Sequence, residues 1–300
     1  MAPVIHFDYD FSPYGQKTKL LLAATQTPFQ KSDQPIVLPR PDLQALGIAY
    51  RRIPLLAIGK DVYVDSAHII QKILSELAVK PIKRSPADHA YAVWGDTVFS
   101  EALAMIPSEM LTEGFVKDRE AIFPFLTRPD LKTLRPSAVA QFRSRLRQVE
   151  EEFLAGSAGP FIGGSEISLA DIHVVWTLRW ALKNLGIGEK EGAGREQFPK
   201  VWKLVESLPE AAPEVLDAST VKKRILGSEY TAKGPVEVEA GDAYGIEKGA
   251  SVNVESFDST PGSFPQAGKL VGTTIDEVVI EIKDGIRLHF PKIGYIVRRQ

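Results

Sequence analysis

The hydrophobic periodicity of this chain changes character twice along its length, and those two changes bound the fold more tightly than any single motif. Up to about residue 80, short β-branched runs alternate with helical patterns. The order is an extended run Val4 to Phe7, a helix from Pro13 to about Thr25, an extended segment near Phe29 to Leu38 and a short helical patch around Asp42 to Leu46. A hairpin follows, Leu55 to Ile58 and Val62 to Val64 turned at Gly59-Lys60-Asp61, and then a helix from Ala67 to about Ala78. A β-α-β unit followed by β-β-α predicts a small mixed sheet with helices on it. From Pro86 to about Arg224 the period is helical, with candidate helices Ala87 to Leu111, Pro136 to Leu154, Leu169 to Leu185, Pro199 to Leu208 and Ala218 to Leu226. Beyond Gly227 the runs are again short and β-branched: Val236 to Glu239, Ser251 to Ser256, Glu277 to Ile282, Ile286 to Phe290 and Tyr295 to Val297. The expected architecture is multidomain, α/β then α then β. It comprises a mixed domain over 1–80, an all-helical domain over 86–226, and a small all-β, β-barrel-like module over 235–300.

Composition narrows the partners. With 44% hydrophobic and 25% charged residues in 300, the chain has material for full cores and two or three domains. A net charge of -2 supplies no general attraction for nucleic acid or an anionic membrane. The segment Val236 to Gln300 carries seven basic against ten acidic side chains, which argues against an oligonucleotide-binding barrel. No run of about 18 apolar residues is present, and the first fifteen residues lack a basic stretch followed by an apolar one, so a cytosolic location is expected. The absence of cysteine excludes disulfides, a protein thiol nucleophile and zinc–thiolate sites; any sulfur chemistry must use a ligand's sulfur. His6, His68, His89, His173 and His289 have no metal-ligand spacing and read as packed or surface residues, so no metal is expected.

Three short motifs in the first 80 residues carry candidate chemistry. In Phe11-Ser12-Pro13-Tyr14-Gly15-Gln16-Lys17, Ser12 sits where an N-cap belongs and Pro13 at the first helical position. The same helix start can be only a cap, or can hold an anionic sulfur with its free amides and dipole. In Arg52-Ile53-Pro54-Leu55 a proline directly precedes a strand. A cis bond there, the state of about 5–6% of X-Pro bonds, turns the Ile53 N–H and C=O outward toward an extended peptide. In Val64-Asp65-Ser66-Ala67 a carboxylate and a hydroxyl precede the next helix, a pair suited to an α-ammonium and an α-carboxylate. Tyr14 and Tyr9 are rival hydroxyls to Ser12.

Taken in order, SPYGQK, the Ile53-Pro54 dipeptide, the Asp65-Ser66 pair and Ile167-Ser168-Leu169-Ala170-Asp171 resemble the glutathione transferase superfamily over about residues 1 to 226. The stretch from Arg40 to Ser66 is similar to fungal glutathione transferase-like proteins with an extra C-terminal β domain. The resemblance implies a thioredoxin-like first domain, an all-helical second domain, and glutathione as substrate or co-substrate in the cleft between them. It implies further that Ser12, in the manner of serine-type transferases, donates to the glutathione sulfur. Ile53 would pair with the cysteinyl backbone, Pro54 hold the turn, Asp65 and Ser66 bind the γ-glutamyl end, Arg40 lie near the glycine carboxylate, and Tyr14 pack at the pocket. Family members commonly carry Glu-Ser where this chain has Asp65-Ser66.

Ser168 and Asp171 have capping-box spacing and read as structural. Trp94, Phe99, Trp176 and Trp180 recur at helical offsets and are mostly core, with Trp94, Phe99 and Trp176 the candidate walls of an apolar co-substrate pocket. The family likeness implies a homodimer and a detoxification-type reaction on an electrophilic small molecule, by conjugation, reduction or isomerisation. Its alternatives are a non-catalytic binding or regulatory protein and a glutathione-dependent isomerase of a biosynthetic pathway.

Overall fold

A computed structural model describes residues 2–188, 191–232 and 234–300, and its backbone divides into two compact units. The first contains 1–18, 28–77 and 212–300; the second contains 19–27 and 78–211.

The first unit is built on β1 (Val4–Asp8), α1 (Pro13–Ala24, shared with the second unit), β2 (Gln30–Asp33), α2 (Pro41–Ala45), β3 (Leu55–Ile58), β4 (Asp61–Val64) and α3 (Ser66–Lys72, continued by one wide turn Ile73–Leu77). These follow the expected order closely, because short apolar runs and turn residues mark the boundaries. β1 pairs in parallel with β2 and antiparallel with β3, which pairs antiparallel with β4.

The C-terminal segment departs from expectation. Its strands are β5 (Ser251–Ser256), β6 (Gln266–Thr273), β7 (Glu277–Glu281), β8 (Arg287–Pro291) and β9 (Tyr295–Arg299). They form no separate β-barrel-like module. β8 pairs in parallel with β4, so one open nine-stranded sheet runs β2-β1-β3-β4-β8-β7-β6-β5-β9. An unpaired β4 would leave a row of backbone donors and acceptors at a sheet edge, and β8 satisfies them. The apolar faces merge as well: Ile5, Phe7, Leu55 and Val64 share one core with Leu270, Ile280, Leu288 and Phe290. The helix α9 (Ala218–Leu226), expected in the helical domain, belongs to this unit and adds Val221 and Ile225 to the same core. Val236 to Glu239 forms no strand; its backbone meets β6 where the Glu237 carbonyl accepts from the Thr273 N–H at 3.0 Å. β6 itself was not foreseen, because Gly268 and Gly272 lower its strand propensity and a bulge interrupts its pairing between Leu270 and Gly272.

The second unit contains α4 (Asp88–Ala102), α5 (Glu113–Arg119), α6 (Arg135–Gln148), α7 (Leu169–Arg179) and α8 (Pro199–Glu206). The expected helix Ala87 to Leu111 stops at Ala102 and continues only as short turns. Ile106 precedes Pro107 and is driven out of the helical region, with ψ at 125°. α6 and α7 extend by wide turns, Val149–Phe153 and Trp180–Asn184, close to the expected ends. The Ser168–Asp171 capping box is formed: one Asp171 oxygen accepts from the Ser168 N–H at 2.8 Å and the other from the Ile162 N–H at 2.7 Å.

α4 and α7 cross at Gly95. A Cβ there would stand inside the van der Waals shell of the His173 carbonyl oxygen and 2.9 Å from Trp176 Nε1. Gly95→Ala is therefore expected to cost about 1–3 kcal/mol by overpacking, read as a lowered denaturant midpoint; an unchanged midpoint would contradict this close crossing.

Candidate functional site

Strand register gathers the three motifs of the first 80 residues. Phe7 is opposite Leu55, and Leu55 is opposite Val64. The end of β1, the start of β3 and the end of β4 thus lie in one row. Ser12 follows that row on the segment after β1, Pro54 directly precedes β3, and Asp65 directly follows β4. Because β8 is parallel to β4, with Tyr63 opposite His289, the C-terminal end of β8 points to the same side.

Ser12 caps α1. Its N–H donates to the Tyr9 carbonyl at 2.8 Å, and its Oγ accepts from the Gly15 N–H at 3.1 Å. The residue is only 2% exposed. Gly15 permits the fully buried Asp8 carboxylate to lie under the first turn, since a Cβ at Gly15 would be 2.8 Å from Asp8 Oδ2. Lys31 Nζ is 3.7 Å from Asp8 Oδ1 and binds Asp10 at 2.6 Å and Asp33 at 2.9 Å. Burial opposes the Lys31 charge, but these carboxylates outweigh it and raise its pKa. Tyr14 is half-buried, with Lys17 Nζ 5.8 Å from its ring centre.

The Ile53–Pro54 peptide bond is cis. Asp65 has φ +71° and ψ 130°, a conformation that costs a non-glycine residue about 1–3 kcal/mol and clusters at functional sites. Its Oδ1 accepts from the Ala67 N–H at 2.8 Å, and its Oδ2 accepts from the Tyr295 hydroxyl at 3.2 Å. Ser66, half-buried, opens α3.

Arg40 is buried, and its guanidinium donates to the backbone carbonyls of Pro35, at 3.2 Å, and Arg51, while lying 6.0 Å from the Tyr9 ring centre. These bonds tie together the two ends of the segment that carries α2. The neighbouring Arg52 is more open and donates Nη2 to Asp258 at 2.6 Å and to Ser259 at 3.2 Å. The Gln266 side-chain carbonyl accepts from the N–H groups of Ala49, at 2.6 Å, and Tyr50, at 3.0 Å. None of Arg52, Tyr50, Gln266 and Tyr295 stands out in the sequence as a candidate site residue. Their partners are more than 200 residues away in the chain and are brought to this side by the sheet that joins β4 to β8.

The aromatic trio proposed for a co-substrate pocket lies in the helical unit. Phe99 and Trp176 are buried, with ring centres 5.4 Å apart, and both pack in its core beside Trp180. Trp94 donates to Gln148 at 2.8 Å and packs on Phe153. The first unit has its own recess, of about 410 Å³, lined by Leu38, Leu43, Ile48, Tyr50 and Phe264 together with Arg40. Among the described residues no group of His, Asp or Glu is arranged to hold a metal, and no helix is long and apolar enough to cross a membrane.

Residues 7–81 match the model of the glutathione S-transferase N-terminal domain, and residues 101–216 match a domain of unknown function, DUF7962. No curated protein matches the chain in sequence. Among solved structures, a GST-like protein from Pseudomonas syringae aligns over the whole of both chains with 22% identity and a TM-score of 0.69. A glutathione S-transferase from Rhodospirillum rubrum F11 aligns over 67% of this chain and 86% of its own, with 15% identity and a TM-score of 0.50. The full-length likeness includes the C-terminal strands. The chain thus has the fold of glutathione S-transferase-like proteins, and its residues 7–81 are similar in sequence to their N-terminal domain.

Proposed function

We propose that this chain binds glutathione at the sheet end where Ser12, Pro54 and Asp65 converge, ionises its thiol, and directs the thiolate at an electrophilic small molecule. The observation that supports this reading most is the shared row of Phe7, Leu55 and Val64, which brings a helix start, a cis-proline and a strained acidic N-cap to one side. The backbone of Ile53 pairs with the cysteinyl residue. Asp65 receives the γ-glutamyl ammonium, and Ser66 its carboxylate. The sulfur lies at the start of α1, where the positive end of the helix dipole and the Ser12 hydroxyl, in the serine-type manner, favour the anion. The thiol proton goes to solvent and the sulfur bonds the electrophilic carbon, either as a leaving group such as halide departs with its electron pair or, in an isothiocyanate, as the C=N π pair moves to nitrogen and takes up a proton; no covalent bond to the protein is needed. The recess beside Tyr50 and Phe264 is a candidate place for the apolar part of the acceptor. On the family resemblance, the enzyme is a homodimer.

A second reading has one observation in its favour. Ser12 is nearly enclosed, whereas Tyr14 keeps part of its surface exposed, so Tyr14 is the alternative hydroxyl donor to the sulfur.

Retention on glutathione-agarose, followed by turnover of a generic aryl halide and a panel of isothiocyanates, tests the proposal. Retention with glutathione-dependent turnover is the expected result. Retention without turnover would mark a binding protein, and turnover without glutathione consumption an isomerase. No retention would contradict the reading.

A further inference from the structure

We propose that Tyr295, the first residue of β9, is a positioning residue for the ligand's ammonium group: its hydroxyl fixes the Asp65 carboxylate, which makes the C-terminal strands a working part of the binding site. This rests on the glutathione reading of Asp65 given above.

The geometry is specific. Tyr295 donates to Asp65 Oδ2 at 3.2 Å, and the Tyr50 hydroxyl is 2.6 Å from the Tyr295 oxygen. With its own proton committed to Asp65, Tyr295 accepts from Tyr50, so the chain of donors runs Tyr50 to Tyr295 to Asp65. Each member is anchored. The Tyr50 ring meets Phe290 edge-on at 5.8 Å and its N–H is held by Gln266, while Tyr295 is buried in the merged core. Burial pushes both phenols well above their ordinary pKa, so they stay neutral and able to donate.

Asp65 needs such support. A non-glycine residue at positive φ persists only where its surroundings over-determine it. Here the Ala67 N–H holds one oxygen and the Tyr295 O–H the other, which sets the direction of the remaining lone pairs. A carboxylate oriented in this way presents a fixed acceptor to an ammonium; one free to rotate about its side-chain bond does not. The strands that supply the hydroxyl lie at the far end of the sequence. They reach Asp65 because β8 runs parallel to β4 and β9 starts at that same side.

Calorimetric titration of the full chain with glutathione, and with its analogue lacking the α-amino group, tests the inference. Tyr295→Phe is expected to weaken glutathione binding about tenfold, the scale of one hydrogen bond to a charged group, while changing the affinity for the deaminated analogue less than about twofold. Tyr244→Phe removes a hydroxyl from a side chain packed against the same core and is expected to leave both affinities within about twofold of wild type. Unchanged glutathione binding in Tyr295→Phe, or an equal loss for both ligands in both variants, would overturn the inference and leave the glutathione reading standing. No binding by the wild-type chain would overturn both. A crystal structure of the wild-type complex gives a check that does not depend on any variant's folding. The ligand nitrogen on the carboxylate held by Tyr295 is the expected result, and a nitrogen bound elsewhere would overturn the inference.

Discussion

Replacing Asp61 by alanine is expected to lower the stability of the folded chain by about 3–5 kcal/mol, the usual cost of removing one partner from a buried ion pair. Asp61 is fully buried at the start of β4. One oxygen binds His289 Nε2 at 2.9 Å; the other accepts from the N–H groups of Thr231, at 2.6 Å, and Ala232, at 2.8 Å. His289 bridges further, with Nδ1 2.9 Å from Glu277 Oε1, an oxygen that also meets His68 Nε2 at 3.1 Å. Both imidazole nitrogens face carboxylates, so only the doubly protonated ring satisfies the pair. The Tyr63 ring lies over it at 4.5 Å, and Lys72 approaches Glu277 at 4.0 Å. Alanine at 61 leaves two backbone donors and half of an imidazolium unpaired at the β4–β8 seam. Guanidinium unfolding measures the loss, and a change below about 1 kcal/mol would contradict the arrangement.

The same cluster sets the pH dependence. Burial opposes the His289 charge, but hydrogen bonds to Asp61 and Glu277 outweigh it and raise the pKa above its usual value. Its contribution is therefore complete below about pH 6.5 and is lost as pH rises through the folded value. For Glu277, burial again works against the ion, yet His289 and His68 bring it down to about 2. Asp61 is lowered in the same sense by His289 and the two backbone donors, against burial. Those contributions are present above the ordinary carboxylate range and fade as pH falls through the folded values. His289→Gln is expected to flatten the alkaline side of the stability profile; an unaltered slope there would exclude a charged His289.

Ser12→Ala is the second large effect, and it falls on activity. Losing the cap costs about 1 kcal/mol of stability, which a domain of this size tolerates. On the proposed mechanism the bound thiol also returns toward its free pKa of about 8.5, which leaves about 1% thiolate at pH 6.5 and predicts a loss of about tenfold to a hundredfold in kcat/KM there. At pH 9 the thiol ionises without help, so the defect is expected to shrink to a few-fold. A loss that is independent of pH would point to misplacement of the ligand. A larger loss in Tyr14→Phe than in Ser12→Ala would assign the donor role to Tyr14.

What could be read from the chain alone follows a physical pattern. β1, β3, β4 and α1 were legible because short apolar runs, a tight turn and a Ser-Pro start are local signals. The Ile53-Pro54 dipeptide and the Asp65-Ser66 pair stand out in the sequence because each adjoins such an element. Pairing partners left no comparable trace. Nothing in Asp61 to Tyr63 announces that Arg287 to His289 lies beside it, since parallel neighbours share no turn. The separate module was therefore expected where the structure has a continuous sheet. His289, read as a packed or surface residue, is packed, but its charged role depends on two carboxylates from other strands. Arg40, read as a carboxylate ligand from its approximate position, is engaged with backbone carbonyls that only the folded path of α2 brings to it. Phe99 and Trp176 carry the helical period common to core and pocket walls, and burial distinguishes the two.

The most direct test of the thiolate site is the pKa of glutathione's thiol when bound to the wild-type chain, followed by the ultraviolet absorbance of the thiolate across a pH titration. Ionisation at least about one unit below the free value of about 8.5 is the expected result. A bound thiol that titrates like the free one would contradict it.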